Sequence, residues 1–313
     1  MTYCCGILVK GGLVFVADTR TNAGLDNIST FRKLHRFELP GQRVMLIASS
    51  GNLSLTQYVL NDVTRGLEHP RTKENQRLVD APSMYAAADL IGRAVRKARE
   101  EHGEAFRDAR LDFDLQMLFG GQIETGELRL FMIYPSGNFI EATQDTPYLQ
   151  IGEHKYGKPV LDRAVRFHME VRDALKLGLV SMDSTMRSNL SVGFPLDVAM
   201  ICRDELRLAI DHRIESDEPW FRGVRETWSR RLREAHAALP DPPYGRGPDP
   251  GFEDVAQEPG VLAALRRQRE LGGSRRLACC VPCCVPCPLP CRLFVFRLTL
   301  SPSPGVPTDE SGG

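Results

Sequence analysis

The 313-residue chain lacks the features that would commit it to a charged or an apolar partner. Its 40 basic residues are matched by 40 acidic ones, so it offers no basic field to nucleic acid or to an anionic membrane. No apolar run approaches the ~18 residues that a membrane span needs. The amino end has neither the basic region nor the cleavage site of a secretory leader, which makes the cytoplasm the expected compartment. No glycine loop of the Walker type is present, so an energy-dependent unfoldase would have to be a separate protein. Of the nine cysteines, Cys4, Cys5 and Cys202 alone precede residue 240, all in strand-like apolar surroundings where a free thiol packs as a small core residue. What is left is a chain that is 42% apolar and long enough to bury one large core.

Against that background, the amino terminus carries the chemistry. The small side chain of Thr2 lets an aminopeptidase remove Met1, which places a free α-amine and a hydroxyl on one residue. An α-amine has a pKa of roughly 7.7–8.0, so part of it is neutral near pH 7 and can take the hydroxyl proton directly or through one water. A lysine nearby lowers that pKa by repulsion, and an aspartate holds the lysine charged and oriented. Lys33 and Asp18 are the residues expected in these roles. Residues 3–9 and 13–18 read as two strands around Lys10-Gly11-Gly12. Their continuous apolar character predicts a sheet covered on both faces, and Gly-Gly suits the positive φ of a tight hairpin. Antiparallel pairing would then set Thr2 beside Asp18.

The rest of the first 240 residues alternates strands with helix pairs. Leu55, Val59, Val63 and Leu67 recur at helical spacing before Pro70. Ala87, Ile91, Ala94, Val95 and Ala98 do so after the capping candidates Asp80 and Ser83. Strand-like runs at 114–119 and 128–133 are separated by Thr125-Gly126, with turn chemistry again at Pro135-Ser136-Gly137-Asn138. Helices are expected at 159–175 and 177–186, and a strand pair at 196–209. This order suits two stacked sheets with helices outside, an α+β architecture.

Thr2, the run Val16-Ala17-Asp18-Thr19-Arg20, Phe31-Arg32-Lys33-Leu34 and Ile47-Ala48-Ser49-Ser50-Gly51 resemble proteasome β-subunits. The segments 18–24, 152–159 and 181–189 are more similar still to the bacterial proteasome-like family called Anbu, over roughly residues 1–240. The resemblance implies an N-terminal nucleophile hydrolase with a four-layer αββα sandwich. It also implies Thr2 as nucleophile, Asp18 and Lys33 as its electrostatic support, and the Gly51 amide as oxyanion donor, a role typically worth about 3–4 kcal/mol. Asp183 maps onto a supporting aspartate, with Ser188 or Ser191 as the accompanying serine. Phe31, Ser49 and Leu53 map onto the substrate pocket and suggest an apolar side chain beside the cut bond. Where proteasome subunits carry Gly-Ser-Gly, this chain has Gly152-Glu153-His154, which removes a hydroxyl and introduces His154 as a candidate second base. The family also implies self-association into a ring or open helical ring, a peptide or amide substrate, and no cofactor.

Residues 241–313 differ in kind. Proline, glycine and arginine dominate, which predicts a disordered extension with no core of its own. Cys280-x-x-Cys283 and Cys284-x-x-Cys287 imitate zinc spacing, but the pairs abut within repeated Cys-Val-Pro, so low complexity is the preferred reading and no metal site is assigned. Trp220-Phe221 is an interface or core pair. The expected function is amide or peptide hydrolysis by Thr2. The alternatives are hydrolysis of small amides only, a ring-forming scaffold with a vestigial site, a metal-binding tail, or a nucleophilic Cys4 or Cys5.

Overall fold

Every position of β1 (Tyr3–Val9) and of β2 (Gly12–Asp18) is buried, as strands covered on both faces require. The computed structural model describes residues 1–22 and 28–241. Alternation along the strands sorts their side chains. In β1, Tyr3, Cys5, Ile7 and Val9 enter a core shared with helices, whereas Cys4 and Leu8 enter a second core between the two sheets. The turn that joins the strands differs from the sequence expectation, since neither Gly11 nor Gly12 has a positive φ. Gly12 is needed for close approach instead: a Cβ there would lie 2.5 Å from the Ile201 carbonyl oxygen.

The chain continues through a short ribbon, β3 (Arg20–Asn22) with β4 (Ile28–Thr30), into β5 (Leu34–Leu39) and β6 (Arg43–Gly51). Helix α1 (Leu53–Arg65) starts where Asn52 caps it, its Oδ1 accepting from the Ser54 amide at 2.9 Å. A second ribbon, β7 (Leu67–Glu68) with β8 (Asn75–Gln76), leads to α2 (Met84–Asp108). Ser83 caps α2, with its Oγ accepting from the Ala86 amide at 3.2 Å, while Asp80 pairs with Arg77 instead of capping. Then follow β9 (Leu115–Ile123), β10 (Arg129–Ile133), β11 (Phe139–Glu141) and β12 (Tyr148–Gly152). Helices α3 (Lys158–Ala164) and α4 (Val171–Ser188), strands β13 (Leu196–Cys202) and β14 (Leu208–Ile214), and α5 (Pro219–Ala237) complete the fold.

Two five-stranded antiparallel sheets result, ordered β12-β1-β2-β13-β14 and β11-β10-β9-β6-β5. Helices α1 and α2 cover the second sheet, with Ile91, Val95, Phe119 and Phe131 in their shared core. Helices α3, α4 and α5 cover the first, and Phe15, Leu46, Leu118 and Leu130 fill the space between sheets. This is the four-layer αββα sandwich. Met1–Pro240 forms one compact unit. No helix among the described residues is long and apolar enough to cross a membrane.

Two expectations are corrected. The break between α3 and α4 falls at 165–170, not at 176, because Val165 turns extended and buries itself and Phe167 packs into the inter-sheet core. Helix α5 was not expected as a helix, although Trp220, Val224, Trp228 and Leu232 recur at every fourth position along it. The same helix resolves the Trp220-Phe221 pair, with Phe221 in the core and Trp220 52% exposed. The Cys-rich segment 279–291 and the rest of the expected extension lie outside the described residues.

Candidate active site

The register of the first hairpin sets the site. Cys4 pairs with Ala17, so Tyr3 comes opposite Asp18, and the Tyr3 amide donates to Asp18 Oδ1 at 3.0 Å. Lys33, just ahead of β5, crosses from the other sheet and donates from Nζ to the same oxygen at 2.9 Å and to the Arg20 carbonyl at 2.6 Å. Asp18 is fully buried and Lys33 is 6% exposed. Burial pushes the Asp18 carboxyl above its ordinary value, and the Lys33 ammonium and Tyr3 amide pull it back. Thr2, 9% exposed, precedes Tyr3 and by alternation shares the inter-sheet side of Cys4. The Asp18–Lys33 pair thus lies one residue along the chain from Thr2, through the bond from the Tyr3 amide.

Thr2 opens onto a cleft of about 330 Å³ lined by Met1, Ser50, Gly51, Asp114, Gln116, Gly152 and Glu153. Gly51 ends β6 at φ +98°, where a Cβ would lie 2.2 Å from the Asp114 carbonyl oxygen, so only glycine lets β6 turn into the α1 cap here. Gly152 has φ +77°, and a Cβ on it would meet the Thr2 carbonyl oxygen at 2.0 Å. That approach allows the Glu153 amide to donate to the Thr2 carbonyl at 2.7 Å. The Glu153 side chain, in a residue 7% exposed, accepts from Asn189 Nδ2 at 3.1 Å and lies 3.3 Å from Lys155 Nζ. The segment holding Asn189 is pinned by Arg20, which donates to the Leu190 carbonyl at 2.8 Å.

Comparison with known proteins bears on the same residues. The proteasome subunit family profile matches residues 2–201. Anbu from Yersinia bercovieri, described as an ancestral beta-subunit, is 45% identical, with 78% of this chain and 100% of that chain covered at a TM-score of 0.71. The chain belongs to the Anbu family of proteasome-like proteins. Anbu from Hyphomicrobium sp. strain MC1 is 46% identical over 77% of this chain and 100% of that chain, with a TM-score of 0.70. Anbu from Pseudomonas aeruginosa, solved as a helical assembly, is 40% identical over 77% of this chain and 98% of that chain, with a TM-score of 0.70. No curated protein matches the chain.

Other residues assigned by resemblance to Anbu lie elsewhere. Asp183, 2% exposed, accepts from Arg187 at 2.9 Å and Arg225 at 2.5 Å, so it ties α4 to α5 and is not bonded to Thr2, Asp18 or Lys33. Helix direction explains this: Ser181 meets the Tyr3 hydroxyl at 2.6 Å, and Asp183, two residues on, faces α5. Ser188 is exposed, and half-buried Ser191 donates its amide to Asn189 Oδ1 at 2.9 Å. The pocket candidates Phe31, Ser49 and Leu53 do not line the cleft. Met45 and Ile47 face the helices while Ala48 faces the other sheet, so alternation turns Ser50, not Ser49, toward Thr2. His154 is exposed and contacts the Gly152 carbonyl at 3.1 Å. Sequence reading set the pair Glu153-His154 near the nucleophile and missed Asp114 and Gln116 beside Thr2, and Asn189 beside Glu153. Only Ser50 had a local signal, the period of two along its strand.

The thiols are unsuited to attack. Burial pushes Cys5 up to about 12, and burial followed by the Asp18 charge holds Cys4 well above its ordinary value. Beside the site, His35 is held down at about 4 by burial and by Arg32 and Arg36, against the opposing pull of Asp197. Its Nε2 is buried without a hydrogen-bond partner among the described residues. A histidine kept neutral by folding contributes stability above its unfolded pKa of about 6.5, and that contribution is lost as pH falls toward 4. His35→Gln is therefore expected to lose less stability than the wild type between pH 7 and pH 4.5. Urea midpoints at the two pH values measure this, and equal losses would contradict it.

Proposed function

We propose that this chain is a threonine-type N-terminal nucleophile hydrolase that cleaves amide or peptide bonds inside a self-assembled oligomer. The observation that carries the reading is the convergence of Thr2, Asp18 and Lys33 at one end of the first hairpin, beside an open cleft. Met1 is 67% exposed, which supports access by an aminopeptidase. Once Met1 is removed, the Thr2 amine takes the proton from Oγ, directly or through one water, as Oγ attacks the substrate carbonyl. Lys33 supplies a fixed positive charge beside the nucleophile, and Asp18 keeps that ammonium oriented in a buried setting. The Gly51 amide is assigned to the oxyanion, at a backbone turn held rigid by the Asp114 carbonyl. The ammonium returns its proton to the leaving amine, and water then hydrolyses the ester on Thr2.

Self-association is part of the same proposal. The Pseudomonas aeruginosa relative is described as a helical assembly, and α5 of this chain leaves Trp220 52% and Leu232 50% exposed. Beside Trp220, a cavity of about 850 Å³ lies between α4 and α5, with Leu177, Val224 and Trp228 in its walls. We assign this surface to a second copy of the chain.

Two outcomes are expected. Thr2→Ala abolishes turnover of any peptide or amide substrate that the wild type cleaves, by on the order of 10³-fold or more; turnover equal to wild type would contradict the reading. The double substitution Trp220→Ala and Leu232→Ala lowers the particle mass seen by light scattering toward that of one chain, and a mass equal to that of the wild-type assembly would exclude α5 as the contact.

A further inference from the structure

Removal of Met1 would expose a new amine at the Thr2 nitrogen, on the wall of the cleft that Met1 now lines. The charged groups that face this point are few. From β2 and from the lead into β5 come Asp18 and Lys33, which pair at 2.9 Å and act on the amine together. The segment before β9 contributes Asp114, which is exposed and so screened by water. After β12 come Glu153, His154 and Lys155, of which His154 and Lys155 are exposed. From the segment after α4 comes Asn189, which is neutral. Glu153 is thus the cleft carboxylate that is more than nine-tenths buried and lacks a buried cation as partner.

Its placement is fixed from both ends. The Glu153 amide bonds the carbonyl of Thr2 itself at 2.7 Å, and Asn189 holds one carboxylate oxygen at 3.1 Å. A glutamate allowed to swing into solvent would exert little force on the amine. This one lines the same cleft as Thr2, its backbone bonded to Thr2 and its carboxylate held by Asn189 and Lys155.

We propose that Glu153 is a positioning residue that holds the charge and orientation of the Thr2 amine and stabilises the ammonium formed during attack. The proposal rests on the reading of Thr2 as nucleophile. As the Oγ–C bond forms, the carbonyl π pair moves to oxygen, and the Oγ proton passes to the amine, which becomes an ammonium. A carboxylate beside it lowers the energy of that charge in the low-dielectric cleft, much as a buried aspartate stabilises an imidazolium in a serine triad. The same attraction also favours the ammonium before reaction. The resting amine is therefore harder to deprotonate, and the pH at which the nucleophile becomes active moves upward.

Glu153→Gln separates these two consequences from a structural role. The readout is the rate at which a β-lactone acylates Thr2, followed by mass spectrometry across pH. The substitution is expected to move the midpoint of the pH profile down by about one unit and to lower the plateau rate, while Glu153→Asp restores part of both. Identical midpoint and plateau in wild type and Glu153→Gln would overturn the proposal. A structural defect would lower the plateau without moving the midpoint, which also overturns it. Should Glu153→Gln fail to fold, an NMR titration of the 13C-methylated α-amine in the Met-free wild type and in Met-free Glu153→Asp decides the matter. A pKa higher in the wild type than in Glu153→Asp supports the role of Glu153, and equal values contradict it. That titration reads the amine even where no adduct forms, so failure of the nucleophile reading and failure of this proposal give different results.

Discussion

The buried ion pair between Asp18 and Lys33 is the constraint around which the site end of the fold is arranged. Two charges removed from water are tolerated only where geometry and further hydrogen bonds offset the desolvation, and breaking such a pair typically costs about 3–5 kcal/mol. Asp18 meets that condition at Oδ1, which accepts from the Tyr3 amide as well as from Lys33, while Oδ2 is buried without a partner among the described residues; Lys33 donates also to the Arg20 carbonyl. The pair therefore links three segments, β1, β2 and the lead into β5, and joins one sheet to the other at the edge of their shared core. Thr2 has one residue of freedom from this clamp, which fixes where a nucleophile can stand.

The strands that carry the clamp have little latitude of their own. β1 lies between β2 and β12, and β2 between β1 and β13, so a register slip would move every side chain to the wrong core. The glycines of the site work within this frame. Gly51 and Gly152 adopt positive φ where neighbouring backbone leaves no room for a Cβ, and so they bring the Asp114 and Thr2 carbonyls against the cleft. The site is thus built chiefly from backbone proximity, and its side chains are few.

Legibility in the sequence followed the range of the forces involved. The first hairpin, α1 and α2 were readable because their signals are local: continuous apolar runs, helical spacing, and a cap at Ser83. Thr2, Asp18 and Lys33 were readable because hairpin register and family resemblance agreed. Asp114, Gln116 and Asn189 were not, since they reach the cleft only through pairing of β6 with β9 and through the return of the chain after α4 to Glu153. Asp183 shows the opposite error: its sequence neighbourhood resembles a catalytic segment, but helix geometry directs it to Arg187 and Arg225. Helix α5 carried the same kind of local signal as α1 and α2, with Trp220, Val224, Trp228 and Leu232 at every fourth position, and was not read from it.

The central proposal is that Thr2, once Met1 is removed, is an activated N-terminal nucleophile. Intact and peptide mass spectrometry of the purified protein, untreated and after reaction with a β-lactone or an epoxyketone, tests it most directly. The account predicts a chain that begins at Thr2 and carries one adduct, located on that residue. Retention of Met1, or a Met-free chain that takes no adduct, would contradict it.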